Sequence, residues 1–343
     1  MKARLLLAAA LLAASAFAER RVATVPSLFP KVAEGRKGTV LFSPYAFELD
    51  AALLSEGFDP IAKAGVAEYL GVLVGYDSVY FPMMARLEAA ATNGFSLVTA
   101  KGFVVPSFRA VTPDYRLQLQ QEYATEVCTF RPNARGALAW FKAKMDGKME
   151  DFALPETNPN EERMVFCDLC SLTTAWAESA PTKVTRFKAA DFTLLKLPLR
   201  DEAAFYAFIP EQGVALETLR REFAAEKLSA LVSVFHSVTE PRLKTVAAKV
   251  SMPELDVTSE IDLLPLFAAA KVPVKGFKSI NSAYTPKAMV QRMRLRVERT
   301  EGAGQAERVE GAEETYSLER PFSFFICHEP TQAVVLMGEV YQQ

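Results

Sequence analysis

Glu319 to Val340 reads ERPFSFFICHEPTQAVVLMGEV. Two strongly apolar runs, Phe322 to Ile326 and Ala333 to Met337, flank a polar turn through His328, Glu329 and Pro330. Short apolar runs rich in aromatic and β-branched residues and bounded by turn formers read as the two strands of a hairpin. A hairpin this apolar packs only after the preceding chain has made a pocket for it, so the last residues close the core. The segment before it is its opposite: residues 296–317 read RVERTEGAGQAERVEGAEETYS, charged and rich in glycine. A polar loop is strung directly onto a core hairpin.

Working outward, half of the 343 residues are hydrophobic and 23% are charged, so the chain buries a large core and is not a disordered one. The formal charge is -2 with acids and bases mixed, which leaves no electrostatic footprint for nucleic acid. The amino terminus, MKARLLLAAALLAASAFAE, carries Lys2 and Arg4, an apolar run from Leu5, and Ala16-Phe17-Ala18 as a small-x-small cleavage site. This is read as a signal peptide over residues 1–18, since the run falls short of the ~20 residues a membrane span needs. Its alanine-rich run, with no cysteine following for lipidation, points to a bacterial exported protein, secreted or periplasmic and off the membrane once cleaved.

The cysteines are Cys128, Cys167, Cys170 and Cys327, too few for a disulfide scaffold in a chain of this length. The pair in MVFCDLCSL has C-x-x-C spacing, but three residues apart on a strand means opposite faces, so a shared metal or bond is not expected. With only His236 and His328, a histidine triad or metal cluster has little material. No cofactor, metal or catalytic constellation is expected.

Helices are expected at Pro26 to Ala33, Phe47 to Ser55, Pro60 to Leu70, Pro113 to Gln121, the stretch ARGALAWFKAKM, Leu216 to Phe223 and Ile261 to Ala269. Ser43-Pro44 starts the second, and Asp146-Gly147 stops the fifth. Strands are expected at Phe95 to Val105, Met164 to Trp176, Phe192 to Pro198, Ala204 to Ile209, Lys244 to Met252 and Met293 to Glu298. Met164 to Trp176 is apolar on both faces and is therefore expected as a central strand of the largest sheet. Neither repeat nor linker interrupts the order, which implies one α+β domain over residues 19–343.

The terminal hairpin resembles the carboxyl-terminal signature of the serpins. Four more stretches resemble that family in the same order: LFSPYAFELDAALLSEG, WFKAKMDGKMEDF with Trp140, Gly147 and Lys148 matching, MVFCDLCSLTTAW ending on Trp176, and VSMPELDVTSEIDLLPLF. The resemblance implies a fold of three β-sheets and about eight or nine helices, expected as a monomer. It also implies inhibition of a serine or cysteine protease by suicide: the protease cuts an exposed loop, which then inserts as a new strand into the central sheet. The loop here is residues 299–320, with Glu301, Gly302, Ala303, Gly304 and Ala306 as its hinge and the cut near Arg308, Glu310 or Thr315. Aligned on the same motifs, Ser43, Ala46, Asp168, Trp176 and Gln291 occupy the region where the sheet opens, with Ala46, Asp168 and Gln291 differing from the family's serine, asparagine and histidine.

Insertion calls for ~15 residues, a span of ~50 Å at ~3.3 Å each. Gly302 to Tyr316 supplies them but leaves only Ser317 to Arg320 before the hairpin. If Gly302, Gly304 and Ala306 face inward, Arg308 and Glu310 follow inward; the other register buries Gln305, Glu307 and Glu313. Two readings therefore stand: a secreted protease inhibitor, or a non-inhibitory binding protein whose loop stays outside the sheet.

Overall fold

The computed structural model describes residues 25–70, 87, 94–129, 134–156, 163–177, 183–223, 235, 242–281, 284–298, 314–331 and 333–341. Its terminal hairpin lies inside an eight-stranded sheet. β12 (Phe322–His328) pairs antiparallel with β13 (Ala333–Val340), and Phe325 stands opposite Met337. β1 (Val40–Phe42) flanks β13 on one side, and β7 (Ala203–Pro210) flanks β12 on the other. Cross-strand aromatic pairs fasten this centre, with Phe205 stacked on Phe324 at 4.7 Å and Tyr206 on Phe325 at 4.5 Å. The strands approach so closely at Gly338 that a β-carbon there would lie 2.5 Å from the Val40 carbonyl oxygen, which only glycine avoids.

The sheet continues through β6 (Phe192–Pro198), β5 (Lys183–Lys188), β8 (Leu243–Ser251) and β11 (Glu314–Ser317). The expected three sheets are two among the described residues, because β6 bonds to β7 along one edge and to β5 along the other. The second sheet has five strands in the order β3 (Thr125–Thr129), β2 (Ser96–Val105), β4 (Arg163–Ala175), β10 (Thr285–Glu298), β9 (Leu255–Asp262). β4 is central, as its two-sided apolar pattern requires, but in the smaller sheet rather than the largest.

Alternation along β4 sends Phe166, Cys170 and Leu172 into the main core and Val165, Cys167 and Leu169 into a second one. Cys167 and Cys170 thus face opposite ways, and all four cysteines are free. The main core is shared with α1 (Phe29–Ala33) and α2 (Pro44–Glu56), the helix after the F-S-P turn. Ser43 caps α2 by accepting the Ala46 amide at 3.0 Å, and Pro44 needs no amide partner in the first turn. Beside it run α3 (Pro60–Leu70) and α4 (Pro113–Tyr123).

The second core lies under α5 (Ala134–Met145), whose Phe141 fills the space left by Gly102. α5 stops where Asp146 and Gly147 take φ of 48° and 74°. The expected helix from Ile261 begins later, as α6 (Leu264–Ala269). Leu255–Asp262 instead alternates buried Leu255, Ser259 and Ile261 with exposed Asp256, Glu260 and Asp262, the period of a strand. Leu216–Phe223 is a 3₁₀ helix. Leu87 and Phe235 are helical amid residues outside the described set, which leaves the expected eight or nine helices uncounted.

Candidate functional site: the β4–β10 seam and the loop anchors

β10 lies parallel to β4 along nearly its whole length, from Thr285 opposite Arg163 to Glu298 opposite Ala175, with one irregularity at Pro286/Ala288. A parallel pair in direct contact is the geometry that an antiparallel strand could enter, since a chain leaving the end of β10 and turning back would run between its neighbours. Trp176 sits at that exit. Its amide donates to the Glu298 carbonyl at 3.1 Å, its indole N–H donates to the Pro253 carbonyl at 3.2 Å, and its ring meets Phe205 edge-on.

Beneath the seam lies a buried polar cluster. Gln291 of β10 stands opposite Asp168 of β4, and its Nε2 donates across the seam to Asp168 Oδ2 at 3.0 Å. Its Oε1 accepts the Ser43 amide at 3.0 Å, while the Ser43 hydroxyl donates to the Val335 carbonyl at 2.7 Å. Lys101 of β2 aims its Nζ into the same place, 2.5 Å from Asp50 Oδ1, 3.3 Å from Asp168 Oδ1 and 3.2 Å from the Ala46 carbonyl oxygen. Lys101 is 4% exposed, and Asp50, Asp168, Gln291 and Ser43 are fully enclosed.

Burial and the neighbouring Asp168 charge hold the Asp50 carboxyl well above the usual range, against the opposing pull of Lys101. Burial pushes Lys101 down, but the two carboxylates more than offset it, so its ammonium is held charged.

Ser43, Ala46, Asp168 and Gln291, which the sequence places near one another, converge in this cluster, whereas Trp176 lies apart at the end of the seam. Ala46 contributes only backbone groups. Lys101 and Asp50 were not singled out as members. The signal for Lys101 was a single cation inside the apolar run of β2, TAKGFVV. Nothing local in α2 marks Asp50 as its partner, since the two are brought together only by packing.

The far end of the loop is anchored. β11 pairs parallel with Ala248–Ser251 of β8, and the Leu318 amide donates to the Ser251 carbonyl at 3.0 Å. Arg186 grips the Glu314 carboxylate with two hydrogen bonds, from Nε at 2.8 Å and Nη2 at 2.6 Å, and Tyr316 donates its hydroxyl to the same group. These hydrogen bonds, with Lys188 at 3.7 Å, hold the Glu314 carboxyl down to about 2. Thr315, expected in the cut region, is a residue of β11 opposite Lys249. The other loop residues, Glu301, Gly302, Ala303, Gly304, Ala306, Arg308 and Glu310, lie outside the described residues, as does the leader. Among the described residues no helix is long and apolar enough to cross a membrane.

This architecture, two sheets among the described residues with a closed parallel seam between β4 and β10, is the serpin fold. Native protease nexin-1 with heparin superposes with a TM-score of 0.78 over 96% of this chain and 99% of that one, at 14% identity. Mouse protein-Z dependent protease inhibitor gives 0.76 over 94% and 97%, also at 14% identity. In sequence the chain is 21% identical to ovalbumin of Dromaius novaehollandiae over 329 residues, 82% of this chain and 83% of that protein. The family model described as Serpin (serine protease inhibitor) matches residues 177–343. The chain thus has the serpin fold, and its residues 177–343 match that family's model.

Proposed function

We propose that this serpin is a non-inserting one: an exported binding protein whose loop a protease cuts as an ordinary substrate. The observation that carries this is the position of β11. Because Glu314 is tied to Arg186 and starts β11, the span between β10 and this anchor is residues 299–313, while the seam it would have to fill is as deep as the 13 residues of β4. Full-depth insertion therefore requires a cut at the last bonds before Glu314, where the protease cannot grip extended chain on the far side. A cut at Arg308, the one basic residue between Arg299 and Arg320, frees only residues up to 308. Set off from the hinge at 301, that is a strand of roughly 26 Å in a seam of roughly 43 Å, at ~3.3 Å per residue. The alternation adds to this, since Arg308 and Glu310 follow the small residues inward and each unpaired buried ion costs several kcal/mol.

A second reading, suicide inhibition of a serine or cysteine protease, is favoured by the closed β4–β10 seam and by the small hinge residues Gly302, Ala303, Gly304 and Ala306. Incubation with a panel of serine and cysteine proteases separates the two. Nicked protein with active, free protease supports the substrate reading; a protease complex that survives boiling in detergent supports inhibition and ends the first reading. The leader residues support export with cleavage after Ala18, tested by whether the mass of the exported protein corresponds to Glu19 as first residue.

A further inference from the structure

The cluster beneath the seam holds an odd number of charges. Two carboxyls, Asp50 and Asp168, and a single ammonium, Lys101, are enclosed between α2, β2, β4 and β10, and their other neighbours Gln291 and Ser43 are neutral. Among the described residues the Cys170 and Cys167 thiols of β4 also interact with Asp168, and burial holds both in their neutral form. Fully ionised, the cluster would carry one uncompensated negative charge in a dry core, which is costly. The hydrogen-bond inventory shows how it is avoided. Asp50 Oδ1 is taken by Lys101 and Asp168 Oδ2 by Gln291, while neither Asp50 Oδ2 nor Asp168 Oδ1 receives a hydrogen bond, the latter having only the Lys101 charge at 3.3 Å. The Lys101 ammonium reaches both carboxyls, 2.5 Å from Asp50 Oδ1 and 3.3 Å from Asp168 Oδ1, so the two lie side by side, and two enclosed carboxyls in that position can satisfy each other only with a proton between them.

We propose that Asp50 and Asp168 share one proton, donated from Asp50 Oδ2 to Asp168 Oδ1, and that losing it loosens the β4–β10 seam. The proton neutralises the cluster and satisfies both remaining oxygens. Without it the two carboxylates repel at the level where Gln291 spans the seam. That repulsion is relieved when β4 and β10 part and water enters. Opening of the sheet is thereby tied to pH through residues of this chain, whether or not the loop ever inserts.

The sign follows from linkage. The folded pair keeps a proton that the unfolded chain has released above ~3.9. Between that value and the raised value of Asp50, the unfolding equilibrium constant rises about tenfold per pH unit from this proton, and above it the dependence flattens.

The test uses the full-length exported protein. Carbon-13 NMR of aspartate carboxyls should show one carboxyl in its protonated form at pH 7, absent from Asp50→Asn. Hydrogen exchange of residues 163–175 and 285–298, corrected for intrinsic base catalysis, should show seam opening that increases with pH in the wild type and is flat in Asp50→Asn. Ionised carboxyls throughout at pH 7, or the same pH slope in both proteins, overturns the proposal. If Asp50→Asn does not fold, the wild-type carbon-13 titration alone decides.

Discussion

Lys101→Met and Asp50→Asn remove the two ends of the same 2.5 Å contact, yet the structure predicts very different costs. Methionine keeps most of the lysine stem and its packing, so Lys101→Met isolates the loss of the ammonium. It strands a net negative carboxyl pair in the core, and breaking a buried ion pair in this way costs about 3–5 kcal/mol. With unfolding entropy near 2.1 cal/mol/K per residue, that is a fall in melting temperature of about 4–7 °C for a chain of this size. Asp50→Asn removes a group that already carries the proton. Its amide can donate to Asp168 Oδ1 in place of that proton while its oxygen still accepts from Lys101, so the cost should stay below about 1 kcal/mol, that of a single altered hydrogen bond. Guanidinium unfolding at pH 7, followed by the fluorescence of Trp140 and Trp176, measures both. Equal losses of about 3–5 kcal/mol in the two variants would refute the reasoning, because Asp50 would then be an ordinary ionised partner.

Further outcomes concern the anchor, the hairpin and the loop. The Glu314 carboxyl, held at about 2 against an ordinary 4.5, stabilises β11 above pH 4.5 and loses that contribution as pH falls toward 2. After solvent screening this is worth about 1 kcal/mol, so the protection of amides 314–317, corrected for intrinsic base catalysis, should fall on acidification and already be lower at neutral pH in Arg186→Met. An unchanged exchange pattern in Arg186→Met would remove the anchor from the account. Gly338→Ala should destabilise by about 3 kcal/mol or lower soluble yield, since backbone, Val40 O, stands in the new methyl's place; a neutral effect in chemical denaturation contradicts this packing. Arg308→Thr with Glu310→Val should give the cut protein a gain in melting temperature that the unmodified protein lacks, and no difference between them would discount the buried-ion argument.

What the sequence made legible depended on where the information for each element lies. β4, β12 and β13 advertise themselves because their own side chains are apolar on both faces, and the F-S-P turn carries its cap and its proline locally. β1, β3 and β5 are short or polar, and become strands through the neighbours they bond to. β11 reads ETYS and is held by β8 and by an arginine 128 residues earlier in the chain, a partnership no local pattern encodes. The same holds for the cluster. Its members Ser43, Ala46, Asp168 and Gln291 could be placed by aligned motifs, but Asp50 and Lys101 meet only once α2 is laid against β2. That the described residues form two sheets rather than three has a related cause, because the bonding of β6 to β5 as well as to β7 is a matter of tertiary register.

The central claim is that the loop does not enter the seam, and the melting temperature before and after a single cut within residues 307–313 tests it most directly. A strand inserted along the 13 residues of β4 would gain bonds to both neighbours, on the order of 10–20 kcal/mol at ~1 kcal/mol per hydrogen bond. The account predicts that cut and intact protein melt within about 2 °C of each other, the scale set by the unfolding entropy of a chain this long. A cut protein that melts tens of degrees higher would contradict it.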